Sequence, residues 1–257
     1  DTTIILDYLH KYEMDEITAN ISSIESALIE FIYSLDDSID VIVHDRTIIS
    51  PQEIDLYLPQ YKLGIECNPT STHNCTISLG QIFGDETSKP ISYNYHKQKS
   101  LACLNQGIFL FHIFGYEWKN RQYVLKSMLR NLLNKTPYRY YSRNLKIQEV
   151  NSKEADTFLN CNHRQGTSKS KINLGLYTHE NELVSLMTFG LTRMCIGYQK
   201  SDNDTVWELV RFCNKLNTSV VGGASKLFKY FLKNYSWTKI ISFSDIAHTK
   251  GGLYEKL

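Results

Sequence analysis

Two acidic side chains stand on neighbouring apolar segments in the first half of the chain. Asp55 lies in Ile54–Leu58 and Glu66 lies in Lys62–Cys67, 11 positions apart with a tight turn between the segments. Because adjacent antiparallel strands can present both carboxylates on one face, we expect the two groups to approach each other. Oxygen ligands of this kind suit Mg²⁺ or Mn²⁺. The spacing indicates a divalent-metal site, and the alternative is an ordinary pair of surface carboxylates.

Three further residues could complete such a site. His73 follows Glu66 by seven positions, and His96 opens the next helical pattern. Either imidazole could act as a general acid or base near neutral pH. Glu25 on the first helix could add a third carboxylate. A divalent ion in this setting would orient water and stabilise the charge of a phosphoryl-transfer transition state.

The elements that position these residues follow from hydrophobic spacing. Ser22 and Glu25 form a capping box that opens a helix. The order helix, strand, hairpin, helix, strand, helix implies a mixed sheet flanked by helices. The remaining predicted strands are Val41–Val43, Ile54–Leu58, Lys62–Cys67 and Ile108–Phe114, and the remaining predicted helices are Tyr93–Gln106 and Arg121–Leu133.

Residues 20–135 resemble the very-short-patch-repair-like endonucleases, the branch of the PD-(D/E)xK superfamily that includes EDxHD homing endonucleases of phages. The resemblance rests on Pro51–Pro59, Leu63–Asn68, Tyr95–Lys99 and Ile108–Phe114. It implies a restriction-endonuclease-like sheet and Mg²⁺-dependent (or Mn²⁺-dependent) cleavage of DNA. The residues that match family positions are the metal-binding aspartate Asp55, the second motif residue Glu66, the helix glutamate Glu25, the histidine His73 and the downstream catalytic group His96. Asn68 stands where the wider superfamily has a lysine.

A glycine turn precedes a basic helical pattern in the second half. Val221-Gly222-Gly223-Ala224 leads into the predicted helix Ser225–Asn234. Glycines before a helix let backbone N–H groups point into one concavity, which favours a phosphate. The alternative is a tight connection between strand and helix.

Residues 146–257 resemble a GNAT-fold acyltransferase, nearest to the Mom-like DNA-modification branch. The resemblance implies an acetyl-CoA-type donor whose pyrophosphate lies over Gly222, Gly223, Ala224 and Ser225. It also implies a gap between the strands Val206–Cys213 and Lys239–Ser244. Arg211, Ser244 and Asp245 are expected to face the gap, and Asp245 or Tyr254 could transfer a proton. The segment His163–Gly166 could line the acceptor side or form a surface loop. The other predicted elements of this half are Lys146–Val150, Ser152–Asn160 capped by Ser152, Asn173–Tyr177 and Glu182–Thr188.

Charge is distributed unevenly although the net charge is only +1. Residues 1–58 hold 13 acidic and two basic side chains, whereas residues 119–146 hold eight basic and no acidic ones. A nearly neutral total therefore does not exclude a nucleic-acid partner. Pro137–Arg143 carries three tyrosines and two arginines, which could stack on bases and neutralise phosphates or could pack on a neighbouring domain.

The sequence thus predicts an α/β (α+β) protein of two domains, with 1–135 as the nuclease domain, 136–146 as a basic aromatic linker and 147–257 as the GNAT-like domain. We expect a cytoplasmic, phage-type DNA endonuclease that acts on double-stranded DNA and has no membrane segment. We also expect the 257 residues to be a segment of a longer chain, truncated at its C-terminus. The alternatives are a DNA nucleobase-modifying acyltransferase with a DNA-targeting first domain and a non-catalytic DNA-binding protein.

Overall fold

The computed structural model describes residues 22–68, 94–191, 205–249 and 251–253. The chain divides into two compact units. The first contains the residues up to Gln122 and a return segment, Ile246–Lys250, and the second contains Tyr123–Asp245 with Gly251–Leu257. Over the described ranges the protein has five α-helices and three sheets, which confirms the predicted α+β class.

The first unit is built on a four-stranded sheet of order β1-β2-β3-β4. The pairs β1–β2 and β2–β3 are antiparallel, and β3–β4 is parallel, so α2 makes the crossover between β3 and β4. The elements are α1 (Ser23–Leu35), β1 (Ile42–Asp45), β2 (Ile54–Leu58), β3 (Leu63–Asn68), α2 (Tyr95–Asn105), β4 (Phe109–Phe114) and α3 (Gly115–Leu132).

The capping box at the start of α1 forms as predicted. The Ser22 hydroxyl accepts a hydrogen bond from the Glu25 N–H, and the Glu25 carboxylate accepts one from the Ser22 N–H. The apolar stripe of α1 includes Leu28 and Ile32, which are buried. Burial of a side chain of this size stabilises the fold by about 1.5–3 kcal/mol, so the helix is fixed against the core and carries Glu25 with it.

The hairpin β2–β3 is the predicted one, with small shifts at its ends. Its strands are joined by a short 3-10 turn, Pro59–Tyr61, and by Lys62 with a φ of 47°. Gly64 allows β4 to approach β3, because a Cβ at this position would lie 2.8 Å from a methyl carbon of Leu110. Strand β3 lies between β2 and β4, and all six of its residues are buried.

The outer edge of β4 is covered by the return segment. The His112 N–H donates to the Ala247 carbonyl over 2.9 Å. His248 Nε2 lies 3.2 Å from Glu117 Oε2, and both side chains are buried. The His248 ring also contacts Phe111 edge-on at 5.5 Å. Residues far apart in the sequence therefore complete the first unit.

The second unit contains a five-stranded sheet of order β11-β9-β8-β7-β6 and a parallel two-stranded sheet, β10-β5. In the larger sheet only β11–β9 is parallel among the strand pairs of the described residues. The elements are β5 (Tyr138–Tyr141), β6 (Lys146–Glu149), α4 (Ser152–Asn162), β7 (Ile172–Tyr177), β8 (Leu183–Leu191), β9 (Val206–Asn214), β10 (Thr218–Val221), α5 (Gly223–Asn234) and β11 (Lys239–Ile241).

Helix α5 supplies the aromatic centre of this unit. Phe231 is fully buried and stacks on Phe189 of β8 with 3.7 Å between the ring centroids. Trp207 of β9 meets Phe231 edge-on at 5.5 Å. Phe231 therefore joins the helix to the two central strands, and such aromatic pairs contribute about 0.5–1.5 kcal/mol beyond their buried area.

Some elements differ from their predicted form. Helix α4 is capped by the Asn151 side chain, which accepts from the Glu154 N–H, so Ser152 is not the cap. Helix α3 begins at Gly115, earlier than Arg121, and Arg121 itself has a non-helical φ of −136°. Within the predicted linker 136–146, residues 138–141 form the strand β5. Among the described helices, none is both long enough and apolar enough to cross a lipid bilayer.

Candidate functional site

The hairpin brings Asp55 and Glu66 together. Leu56 pairs with Ile65 across β2 and β3, and the same register continued by one residue sets Asp55 opposite Glu66. The two carboxylates are close enough that the negative charge of Asp55 raises the pKa of Glu66. The geometry thus matches the proximity that the spacing predicted.

Glu66 has a cationic partner that the sequence analysis missed. Lys99 Nζ lies 2.5 Å from Glu66 Oε1, and the two side chains are 3% and 2% exposed. Lys99 comes from α2, which buries Lys99 and Cys103 one turn apart. Cys103, four positions after Lys99, indicates that this face of α2 is buried. Lys97 stands two positions before Lys99, so the sequence alone does not show which of the two lysines is the buried one.

One oxygen of Glu66 is left over for a ligand. Glu66 Oε2 is buried and accepts no hydrogen bond from the residues that the structure describes. An unsatisfied buried carboxylate oxygen costs about 1–3 kcal/mol or more. A cation or hydrogen-bond donor that contacts this oxygen would therefore remove that cost when it binds.

Asp55 and Glu25 face the same region. Asp55 Oδ2 accepts from the Cys67 N–H over 2.6 Å. Glu25 Oε2 lies 3.3 Å from His44 Nε2. One potential ligand atom from each of Glu25, Asp55 and Cys67 lies within 4.8 Å of the other two. Glu25, on the helix capped by Ser22, is thus held close to Asp55, as predicted.

Burial dominates the acid–base behaviour of the two strand carboxylates. Burial raises the pKa of Asp55 to about 6, although the Cys67 N–H opposes the rise. Burial and then the charge of Asp55 raise the pKa of Glu66 to about 8, although Lys99 opposes this. Near neutral pH the metal-free cluster therefore retains a proton that the same groups would release in water.

Lys99 stays charged in this setting. Burial alone lowers the pKa of its ammonium, but the Glu66 and Asp55 carboxylates outweigh burial and raise the pKa above the usual value. Near neutral pH the retained proton and the Lys99 ammonium together balance the two carboxylates.

The donor set fits a hard divalent cation. Asp55, Glu66 and Glu25 offer carboxylate oxygens, which Mg²⁺ and Mn²⁺ prefer. Burial raises the pKa of Cys67 well above its usual value, so its sulfur is a protonated thiol and a poor ligand. Glu25, Asp55 and Cys67 are the residues whose ligand atoms lie within 4.8 Å of one another, and Glu66 lies outside that group although it offers an unsatisfied oxygen.

A polar network lies beside the carboxylates. The fully buried His112 has Nδ1 3.1 Å from Asn68 Nδ2 and Nε2 2.8 Å from Ser100 Oγ. The ring of the predicted residue His96 lies 5.5 Å from that of His112. Burial and then the charge of Lys99 lower the pKa of His96, so its imidazole is neutral at pH 7. His73 lies outside the described residues.

The turn predicted to hold a phosphate contains a left-handed glycine. Gly222 has a φ of 73°, in the left-handed region, and precedes α5 without a side-chain cap. The helix begins at Gly223, so Gly223, Ala224 and Ser225 form its first turn. A Cβ at Gly222 would lie 2.9 Å from Ser142 Oγ, which explains why glycine stands there.

Two contacts join other residues predicted for the second unit. Arg164 Nη2 lies 2.5 Å from Asp245 Oδ2, and Arg211 Nε donates to the Gly166 carbonyl over 3.3 Å. The turn 163–166 thus lies against Arg211 and Asp245. Ser244 is exposed, and Tyr254 lies outside the described residues.

Comparisons with known proteins provide no independent assignment. No family model matches this chain, and neither a curated protein nor a solved structure matches it significantly.

Proposed function

We propose that the first unit hydrolyses phosphodiester bonds of double-stranded DNA with a divalent cation held by Asp55, Glu66 and Glu25. The observation that carries the proposal is the buried cluster of Asp55, Glu66 and Lys99 with its unsatisfied Glu66 oxygen. The likeness to very-short-patch-repair-like endonucleases supports the same chemistry, since it matches these acidic positions.

The carboxylates bind and orient in this scheme. Glu66 is held by Lys99 through one oxygen, which leaves the other oxygen toward the ion. Asp55 is held by the Cys67 N–H through one oxygen. When bound, Mg²⁺ or Mn²⁺ lowers the pKa of its water and offsets the charge that develops on the phosphate.

Lys99 supplies fixed positive charge beside the acids. Asn68 occupies the strand position at which the superfamily has its lysine, and its side chain is bound within the network of His112. The ammonium of Lys99 reaches Glu66 from α2 instead. A cation preorganised in a buried site stabilises negative charge in the transition state without further reorganisation.

His96 is suited to accept a proton. Its pKa is lowered, so the neutral form is present at pH 7, and it stands one turn before Lys99 on α2. A neutral imidazole can take a proton from water or, once protonated, return it to the leaving oxygen. The basic run 119–146, which lacks acidic residues, is suited to contact the DNA backbone.

Nicking of supercoiled plasmid tests the proposal. The protein is incubated with plasmid in Mg²⁺, in Mn²⁺ and in EDTA. We expect cleavage that needs the metal and is lost in Asp55→Asn and Glu66→Gln, with DNA binding retained. Asp37→Asn, an exposed acid of the same unit, is the matched control and should cleave normally.

Metal-independent cleavage, or full activity of Asp55→Asn, would reject the site. Binding without cleavage by the unaltered protein would favour a non-catalytic DNA-binding protein.

A second candidate, acyl transfer by the second unit, is favoured by two observations. After β9 come β10, the Gly222 turn, α5 and the parallel strand β11, which is compatible with the order that the GNAT resemblance implies. The implied gap is absent over Lys239–Ile241, where β11 pairs with Val206–Glu208 of β9. Arg211 of β9 donates to the Gly166 carbonyl, and Arg164 of the same turn pairs with Asp245. Calorimetric titration with acetyl-CoA, followed by mass analysis of nucleosides from treated DNA, tests it; Gly222→Val should abolish binding because a side chain there meets Ser142.

A further inference from the structure

Two guanidinium groups flank one exposed tyrosine ring on β5. The guanidinium carbon of Arg143 lies 5.3 Å from the centroid of the Tyr141 ring, and that of Arg139 lies 6.0 Å from it. Tyr141 is 45% exposed, and Tyr138, at the start of the same strand, is 61% exposed. Because side chains alternate along a strand, Tyr138 lies on the other face, and we call Arg139, Tyr141 and Arg143 the β5 strip.

The backbone beneath the β5 strip is well anchored. Tyr140 pairs with Val220 of β10 and packs on the core of the second unit. After the strand, Lys226 Nζ donates to the carbonyls of Ser142 and Leu145 over 2.8 and 2.6 Å. Arg139 and Tyr141 are therefore presented from a fixed strand, and Arg143 from the 3-10 turn Ser142–Asn144 that follows it.

The positive charge of the β5 strip is not neutralised within the described residues. Neither Arg139 nor Arg143 has a carboxylate within salt-bridge distance there, and both are exposed. Both belong to the run of 28 residues, 119–146, that contains eight basic and no acidic side chains. A guanidinium held over an aromatic ring loses little further freedom when it binds a phosphate.

We propose that the β5 strip binds single-stranded nucleic acid. Guanidinium groups suit the phosphates of the strand, and exposed tyrosine rings suit unpaired bases. Stacked bases of a duplex hide their faces from such rings, which is why a single strand is the better ligand. The inference uses residues of the second unit only and does not depend on the hydrolytic activity of the first.

Fluorescence anisotropy with a labelled single-stranded oligonucleotide and its duplex tests the proposal. The full chain is used in EDTA, so that cleavage does not interfere. In Tyr141→Ala we expect single-strand affinity to fall about tenfold, because a stacked base contributes substantially. Duplex affinity should change by less than twofold. Tyr141→Phe should bind normally because it retains the ring.

The arginines are tested through salt dependence. For single strands each phosphate contact contributes about −0.7 to the slope of log affinity against log salt, so Arg139→Ala/Arg143→Ala should reduce the slope by about 1.4. Lys229→Ala/Lys233→Ala, which removes two exposed charges from α5, is the matched control and should leave the slope unchanged.

Three outcomes would overturn the proposal. The first is unchanged single-strand affinity in the tyrosine variant. The second is an equal loss for duplex and single strand, which would indicate simple backbone attraction. The third is competition by polyglutamate as effective as that by the unlabelled oligonucleotide, which would make an acidic peptide the better ligand.

Discussion

Charged groups occur in two contrasting settings in this protein. In the first unit Glu66 and Lys99 form a pair that is almost completely buried, with Asp55 beside it. In the second unit Lys215 and Glu182 pair at the surface, where each side chain is more than two-fifths exposed. Burial makes every charge of the first set depend on its partners, whereas water stabilises each charge of the second set separately. Removing one partner is therefore expected to matter far more in the first setting than in the second.

The largest effect is expected when the buried cation is removed. Lys99→Met leaves the remaining carboxylate charge of the Asp55 and Glu66 pair without a cation, and the free energy of unfolding should fall by about 3–5 kcal/mol at pH 7. Urea unfolding followed by circular dichroism measures the change. Lys97→Met, on the exposed side of the same helix, is the control and should be nearly neutral. The double variant Glu66→Gln/Lys99→Met should recover part of the loss; no recovery would mean that packing rather than charge is responsible.

The next effect is a pH dependence with a defined sign. The folded-state pKa values of Asp55 and Glu66, about 6 and about 8, exceed their ordinary values of 3.8 and 4.5. The folded protein therefore binds protons that the unfolded chain has released. Their contribution to stability is present at low pH and is lost as the pH rises through 6 and 8. Without metal, the free energy of unfolding should fall by a few kcal/mol between pH 5 and pH 8.5.

Glu66→Gln provides the comparison for this pH series. Its amide does not titrate, so the upper part of the pH dependence should disappear. A curve that keeps the same slope between pH 7 and pH 8.5 in this variant would assign the titration to another group.

A smaller effect is expected from the metal itself. A ligand at 100 times its dissociation constant stabilises the folded state by about 2.7 kcal/mol. Mn²⁺ at pH 8 should thus raise the melting temperature of the unaltered protein, whereas Asp55→Asn should respond little. The control Asp37→Asn should respond fully. An equal shift in all three proteins would indicate that the ion binds elsewhere.

The smallest effect is expected at the surface pair. Lys215→Met should change the free energy of unfolding by less than about 1 kcal/mol, because exposed ion pairs contribute little. Chemical denaturation of both variants compares the loss in free energy of unfolding caused by Lys215→Met with that caused by Lys99→Met. A loss as large as that of Lys99→Met would remove the distinction between the two settings.

Local sequence signals determined much of the first unit. The capping box at Ser22 and the alternation of Ile54–Leu58 depend on neighbouring residues, and both predictions were confirmed. Lys99 was missed because its role depends on contact with Glu66, which lies 33 positions earlier. The packing of α2 against the sheet decides that the ammonium of Lys99 is buried and that of Lys97 is exposed.

The second unit was harder to predict for a similar reason. Strand β10 is only four residues long, and its partner β5 lies about 80 positions earlier in the chain. The aromatic residues of Tyr138–Tyr141 are typical of a strand. The local sequence does not indicate that its partner strand lies about 80 positions later. The Asn151 cap was missed because Ser152 is an equally acceptable capping residue.

The return segment has a consequence for how this protein can be divided. Because the Ala247 carbonyl covers the edge of β4 and His248 meets Glu117, a single cut between the two units would remove part of the first. A fragment ending at Gln122 would expose an unpaired strand edge and leave a buried carboxylate without its imidazole. Such a fragment is expected to self-associate through that edge unless residues 246–249 are supplied as a separate peptide.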